Sequence, residues 1–413
     1  MTPKREVRLA LAGCGVVGSG LVRLLHDARD EIASRFDVRF SLASVLVRDI
    51  NRQRQVPISE SLFTSDLDAF LKTDADVVVE AIGGDEPART IAASAIAHGR
   101  KFVTANKELI AGSGDRLSRL ADERGTSLDF GAAVGASAPV ISTLRDLLGA
   151  SPPRAVRGIL NGTSNFVITQ IERGADFTVA LNAARQLGLA EEDCSKDLDG
   201  RDAAAKLAIT AWVAFGIPPA TLRARRTSLL PHLPELIRVA NGLGGRLRFI
   251  AECAQLDANA VVASVEPTIV NAASGFARTV GEENRIEIDQ GWSAPLTVSG
   301  PGAGGAPTAA ALLSDLLRTT PPANARGSLA RAFYPVADRR DHRWLLLAPE
   351  SRQLEALLAT HGVSIERSWR ENNRTGVVTG RAKWEILESI IGEKRLDIAV
   401  ARVELPEAEV RVQ

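Results

Sequence analysis

Residues 7–25 read VRLALAGCGVVGSGLVRLL, and their order decides the architecture of the chain. Val7 to Ala12 is an apolar run of the kind that forms a buried parallel strand, and Ser19 to Leu25 follows as a helix. Between them stands Gly13-Cys14-Gly15-Val16-Val17-Gly18. Gly13 permits a tight turn, Gly15 lets the backbone approach a pyrophosphate, and Gly18 lets strand and helix pack closely. The helix start then offers free N–H groups and a positive dipole end to phosphates. With 34 glycines in 413 residues such a pattern is weak alone. The strand before it and the helix after it give it weight. Gly13, Gly15, Val16, Val17 and Gly18 are therefore expected to bind a dinucleotide.

The residues that follow repeat the strand–helix alternation. A second strand, Ser41 to Val47, ends at Arg48. An acidic residue there would hold a ribose 2′-hydroxyl, whereas an arginine accommodates a 2′-phosphate. Arg48 therefore points to NADP, and Asp49 beside it keeps NAD open. A third strand, Asp76 to Ala81, runs into Ile82-Gly83-Gly84 at the carboxyl edge, which puts Gly83 among the cofactor candidates. Phe102 to Thr104 delivers Thr104, Asn106 and Lys107 to the same edge, although Asn106 could simply cap the helix that begins at Glu108. Ser127 to Phe130 then enters Gly131 to Pro139, where the small residues imply close backbone approach.

Composition narrows the function classes. Fifty basic residues balance fifty acidic ones, so no net field favours nucleic acid or an anionic membrane. No apolar run reaches membrane-spanning length. Cys14, Cys194 and Cys253 fit no metal-ligand spacing, and with no signal peptide they read as reduced thiols of a cytoplasmic protein. No metal is expected.

The densest charge cluster lies at 184–206, ARQLGLAEEDCSKDLDGRDAAAK. Glu191, Glu192, Asp193 and Asp197 are expected on a polar loop able to close over an amino-bearing ligand. Asp199 is expected to cap a helix on which Asp202 and Lys206, four residues apart, share one face. Alone, that pair could be a surface ion pair. Upstream, strand Val156 to Leu160 leads into Asn161-Gly162-Thr163-Ser164-Asn165. Downstream, Leu247 to Ala254, Ala260 to Val270, Arg285 to Asp289 and Pro295 to Ser299 suggest an antiparallel sheet. Gly300 to Thr308 opens a helix, Ala309 to Leu317, expected to pack back onto the first domain, with Gly302 and Gly304 as a second cofactor contact.

These pieces together resemble homoserine dehydrogenase. GCGVVG at 13–18, TANK at 104–107, LNGTSN at 160–165, the 184–206 cluster and GPGAGGAPTA at 300–309 occur in the family's order over about residues 5–320. The resemblance is to the monofunctional type, without a preceding kinase domain. It implies NAD(P)-dependent interconversion of L-homoserine and L-aspartate 4-semialdehyde, on the path to threonine and methionine. It implies proton-transfer roles for Lys206 and Asp202, with Lys107 close to the reacting centre. Glu191, Asp197 and Asp202 would hold the substrate, and Gly162 and Thr163 would line its pocket. Three departures stand out: Cys194 for a proline, Leu189 for a tyrosine, and Gly131 for a glutamate beside a monovalent cation. Carbonyls of Val134 and Ala136 could still face an ion.

After a proline-containing linker at 319–325, residues 342–408 read strand, helix, strand, strand, helix, strand, a ferredoxin-like order. It resembles the ACT-like domains that follow this catalytic core. The expected architecture is thus α/β: a Rossmann domain at 1–139 and an α+β substrate and dimerisation domain at 140–299. A returning helix at 300–330 and an ACT-like domain at 331–413 complete it. A homodimer or homotetramer acting on a small amino-acid substrate is expected. Two readings compete: a dehydrogenase of another small amino-acid alcohol, and a non-catalytic nucleotide sensor.

Overall fold

The computed structural model describes residues 5–405 apart from 37, 149–151, 191, 231, 303, 320–333, 337, 339, 350–351, 372–373 and 395–397. The chain divides into two compact units. The first comprises Met1–Pro153, Ala208–Leu222 and Gly300–Ala332; the second comprises Arg154–Leu207, Arg223–Ser299 and Phe333–Gln413.

The chain begins β1 (Arg5–Ala12), α1 (Val16–Asp27), α2 (Arg29–Phe36) and β2 (Val38–Leu46). It continues β3 (Phe63–Thr64), α3 (Leu67–Leu71), β4 (Val77–Glu80), α4 (Ala88–Ala97), β5 (Lys101–Thr104), α5 (Lys107–Glu123), β6 (Leu128–Asp129) and α6 (Val140–Leu148). The six strands form one parallel sheet in the order β3-β2-β1-β4-β5-β6. Strand order reverses between β1 and β4, the switch point at whose carboxyl edge ligands bind in open parallel sheets. The apolar strands explain the topology. Val7, Leu9, Leu11, Val77 and Val79 are buried, and parallel strands covered on both faces must be apolar nearly throughout.

Next come β7 (Ala155–Ile159), α7 (Gly162–Glu172), α8 (Phe177–Gln186), α9 (Ser195–Leu198) and α10 (Arg201–Phe215). They are followed by β8 (Arg225–Arg226), α11 (Leu233–Gly242), β9 (Gly245–Gln255), β10 (Ala260–Asn271), α12 (Gly275–Arg278), β11 (Glu283–Asp289), β12 (Leu296–Pro301) and α13 (Gly305–Thr319). Helix α13 belongs to the first unit and lies on α1. A Cβ on Gly305 would come 2.3 Å from the Val16 side chain, and one on Gly20 would come 3.1 Å from Ala309. Only glycine allows that helix spacing.

The chain ends β13 (Tyr334–Pro335), β14 (Arg343–Pro349), α14 (Arg352–Thr360), β15 (Ile365–Glu371), β16 (Arg374–Thr379), α15 (Trp384–Lys394) and β17 (Ala399–Val403). The middle strands β7, β9, β10 and β11 pair antiparallel as expected, but they are part of a larger sheet. The second unit holds one 11-stranded mixed sheet whose path runs β12-β11-β7-β9-β10-β17-β14-β16-β15, with β8 and β13 also on β10. The join is a parallel pair, β10 with β17, in which Thr268 faces Arg402 and Ile269 faces Val403. A long, apolar β10 edge left open would be a template for aggregation, and β17 covers it.

Ionised side chains line this join. Arg402, almost wholly buried, pairs with Glu252 at 2.7 Å, Glu404 at 2.7 Å and Glu266 at 3.1 Å. Arg157 on β7 also reaches Glu404 and Glu252, and Arg340 reaches Glu252. Burial works to raise the Glu252 carboxyl, but Arg402, Arg157 and Arg340 overcome it and hold it well below the ordinary glutamate range.

Candidate active site

The nucleotide edge of the first unit is built largely from backbone. Gly13 has φ +96°, and a Cβ there would sit 2.6 Å from the Ala81 carbonyl. Gly18 is more constrained, since its Cβ would lie 2.0 Å from the Gly13 carbonyl oxygen. Gly15 takes the N-cap position of α1 with open space where a Cβ would point, and Val16 beside it is exposed. This leaves a cradle with unshielded N–H groups at a helix start, which fits a pyrophosphate. Arg48 is exposed just beyond β2.

One group at this edge was not singled out from sequence. Glu80, fully buried at the end of β4, accepts from the N–H groups of Ile82 and Gly83 at 2.7 and 3.0 Å. Its other oxygen accepts from Thr104 Oγ1 at 2.5 Å, and that hydroxyl oxygen accepts from Asn106 N. Asn106 Nδ2 donates to the Gly84 carbonyl while Oδ1 caps α5 by accepting from Leu109 N. One carboxylate, one hydroxyl and one amide thus pin the Gly83-Gly84 turn and the start of α5, whose first residue is Lys107. A glutamate inside an apolar strand, VVVE, was the available signal, because burying a carboxylate costs too much unless it is bonded.

Gly131 starts a small-residue loop closed by α13. A Cβ there would lie 2.6 Å from Asp315 Oδ1, so a glutamate has no room. Asp315 is fully buried and accepts from Ala132 N at 3.0 Å and from the Arg318 guanidinium. Burial pushes its carboxyl above the usual aspartate range. The carboxylate nearest the loop is thus matched by the chain's own arginine. The glutamate that the resemblance expects at this position beside a monovalent cation is therefore sterically excluded. Among the described residues no group of three or more His, Cys, Asp or Glu could hold a metal ion.

The charge cluster of the second unit gathers around an amide. Asn161 N-caps α7, its Oδ1 accepting from Ser164 N at 2.7 Å. Its Nδ2 donates to Asp197 Oδ1 and to Asp202 Oδ2, each at 2.7 Å. Lys206 Nζ lies 2.9 Å from Asp202 Oδ2 and donates to the Leu160 carbonyl at 2.9 Å. The side chains of Lys206 and Asp202 are 12% and 7% exposed, so this is no solvated surface pair. Thr163 Oγ1 donates to the Leu189 carbonyl at 2.6 Å, which ties the acidic segment to α7 through backbone. That contact is indifferent to the side chain at 189. Gly162 is packed so closely that a Cβ would sit 2.8 Å from the Glu282 carbonyl.

Several expectations change here. Asp197 lies on the short helix α9 rather than on a loop, and Glu191 lies outside the described residues. Asp199 is the C-cap of α9 and not the N-cap of α10. Gly200, at φ +83°, accepts the first helical bond from Ala204, and Asp199 accepts from Arg201 N at 2.9 Å. The shift has a steric cause. A Cβ at position 200 would press on Phe249 and Val265 at 3.0 Å, so glycine must stand at the turn itself. Asn161 is the residue sequence reasoning passed over. Its place inside LNGTSN reads as a cap, and only the fold shows its Nδ2 between two carboxylates.

Of the cofactor candidates, Gly302 is buried, and Gly304, at φ +117°, accepts from Thr308 N as α13 begins. Among the described residues no helix is long and apolar enough to cross a membrane.

The chain is similar to known proteins. The family model described as homoserine dehydrogenase matches residues 139–317, and the model of its NAD-binding domain matches residues 13–130. The homoserine dehydrogenase of Synechocystis sp. is 36% identical over 324 residues, 75% of this chain and 72% of the relative. That of Mycobacterium leprae is 35% identical over 320 residues, 76% of this chain and 72% of the relative. The crystal structure of a homoserine dehydrogenase from Thiobacillus denitrificans, 28% identical, covers 97% of this chain and 98% of its own at a TM-score of 0.86.

Proposed function

The chain belongs to the homoserine dehydrogenase family, and we propose that its Lys206–Asp202 pair moves the proton of the substrate hydroxyl. The enzyme is an NAD(P)-dependent oxidoreductase that interconverts L-homoserine and L-aspartate 4-semialdehyde. When bound, the nicotinamide cofactor supplies the hydride acceptor for the alcohol carbon. The protein must then take one proton from the hydroxyl oxygen.

The observation that carries the proposal is the two-point hold on the Lys206 ammonium by Asp202 Oδ2 and the Leu160 carbonyl, both away from bulk water. A lysine, unlike an arginine, can exchange its proton: the neutral amine takes the hydroxyl proton during oxidation, and the ammonium returns it to the aldehyde oxygen during reduction. Asp202 and the Leu160 carbonyl fix Nζ, and the Asn161 amide fixes Asp202. Asp197 and Glu191 accept from the substrate ammonium, Gly162 and Thr163 line the pocket, and Lys107 is the third catalytic residue.

For the cofactor, Gly13, Gly15, Val16, Val17 and Gly18 hold the pyrophosphate, supported by the open cradle at Gly15. Gly83, Thr104, Asn106, Gly302 and Gly304 complete the cofactor set. Arg48 favours NADP over NAD by offering a guanidinium to a 2′-phosphate. Residues 1–139 and 300–330 form the nucleotide domain and 140–299 the substrate and dimerisation domain. Residues 331–413 form a ferredoxin-like, ACT-like module. Support for the last is the strand order β17-β14-β16-β15, which in module numbering is 4-1-3-2. A cytoplasmic homodimer or homotetramer completes the reading.

The experiment is direct. Purified protein with L-homoserine and NADP or NAD in turn should reduce the nicotinamide, followed by absorbance. No turnover with either cofactor would remove the proposal. Turnover only of another amino alcohol would replace the substrate.

A further inference from the structure

Asn284 is fully buried on β11, and among the described residues neither its Oδ1 nor its Nδ2 has a hydrogen-bond partner. It shares the inward face of that strand with Ile286 and Ile288. A leucine would match its size there and suit those neighbours better, since an unbonded buried amide is a net cost to the fold. Polar groups kept at such a cost belong at working sites more often than in cores.

Its position says which site. Arg285 pairs with Ile159 in the antiparallel β11–β7 ladder, so the next step brings Asn284 across from Leu160. The Leu160 carbonyl is the one that anchors Lys206 Nζ, and Asn161 follows it. Asn284 cannot slide along the strand. Asn165 Nδ2 holds the carbonyls of Thr279, Gly281 and Glu283, and Gly162 packs on that of Glu282.

We propose that Asn284 is a further substrate-holding residue, its Nδ2 donating to the carboxylate of the amino-acid substrate. Asp197 and Asp202 are acceptors and suit an ammonium. The neutral donors around them are already committed, Asn161 Nδ2 to those two carboxylates and Thr163 Oγ1 to the Leu189 carbonyl. The Asn284 amide hydrogens are not. Both polar atoms of this amide are buried, and a rotation of the side chain brings Nδ2 to the arriving substrate carboxylate.

The inference rests on the homoserine reading of the same site, and wild-type turnover of L-homoserine checks that reading separately. Asn284→Leu should raise KM for L-homoserine about ten- to hundredfold, as loss of a bond to a carboxylate does. Cofactor affinity should stay within twofold, and the thermal midpoint should hold or rise. As an inhibitor, 3-aminopropan-1-ol, the same skeleton without its carboxylate, should keep its Ki. An unchanged KM for homoserine overturns the proposal, and so does a Ki that rises in step with KM. If Asn284→Leu fails to fold, Asn284→Asp keeps the size and sets a negative charge against the carboxylate. It should raise KM further while leaving the same Ki intact, and a normal KM in that variant also overturns the assignment.

Discussion

Two buried ion clusters occupy the second unit, and they are built from different cations. At the join of β10 and β17 every cation is an arginine: Arg402, Arg157 and Arg340 against Glu252, Glu266 and Glu404. Its members come from residues 157 to 404 and are brought together only by the completed sheet. At the proposed catalytic site the cation is Lys206, its partner Asp202 is one helical turn away, and a neutral amide, Asn161, does the bridging. An arginine keeps its proton at any pH the protein survives and forms planar, multiple bonds; a lysine is a single point charge that can give its proton up. One cluster fastens β17 to β10 within a single sheet. The other is the pair proposed to move a proton.

The sharpest way to break that contrast is at Lys206. Lys206→Ala should lower kcat by about a hundred- to ten-thousandfold, the usual share of general acid–base catalysis. Cofactor affinity should survive, as read by fluorescence titration. Lys206→Arg retains the charge and should not restore turnover; an active arginine variant would abolish the distinction. Next in size, Arg402→Met should cost about 3–5 kcal/mol in denaturant unfolding, because it leaves buried carboxylates unmatched. The folded fraction should keep its kcat within twofold.

Acid separates the clusters further. The Glu252 carboxyl titrates below its unfolded value of 4.5, so its stabilising share is full at neutral pH and is lost as the pH falls below that value. The thermal midpoint of the wild type should therefore fall more steeply below about pH 5 than that of Glu252→Gln. Parallel curves would mean that the join is not held by ionised Glu252. The smallest effect belongs to an exposed charge. Arg48→Ala should raise KM for NADP about fivefold, the scale of a solvated ion pair, and leave NAD unaffected.

What sequence could tell divides along the same line. The turn at 13–18 is legible because strand, glycines and helix are neighbours in the chain. The spacing of Asp202 and Lys206 is legible because a helix repeats every 3.6 residues. The first and third strands expected within residues 342–408 appear as β14 and β16, since each carries its own apolar pattern. The parallel union of β10 with β17 is not legible. It pairs Thr268 with Arg402, and which edge covers which is settled by global burial rather than local pattern. For the same reason the Glu80–Thr104–Asn106 chain stays hidden, because each member alone reads as a strand end or a cap. Asp199 misled for a steric reason: the room beside Phe249 and Val265 admits no side chain, so the cap moved to Gly200.

Asn161 precedes Gly162, and an asparagine followed by glycine is the pair most exposed to slow chemical ageing, since the next backbone nitrogen can attack the carboxamide. In this fold the carboxamide is bonded on both sides, to Ser164 N and to two aspartates, and the glycine is already wound into α7. The native protein should therefore resist the reaction while the unfolded chain does not, a difference that intact-mass measurement on stored samples would register. If the amide were lost, a third negative charge would stand between Asp197 and Asp202. The catalyst's working lifetime would then be tied to how seldom this one helix start opens.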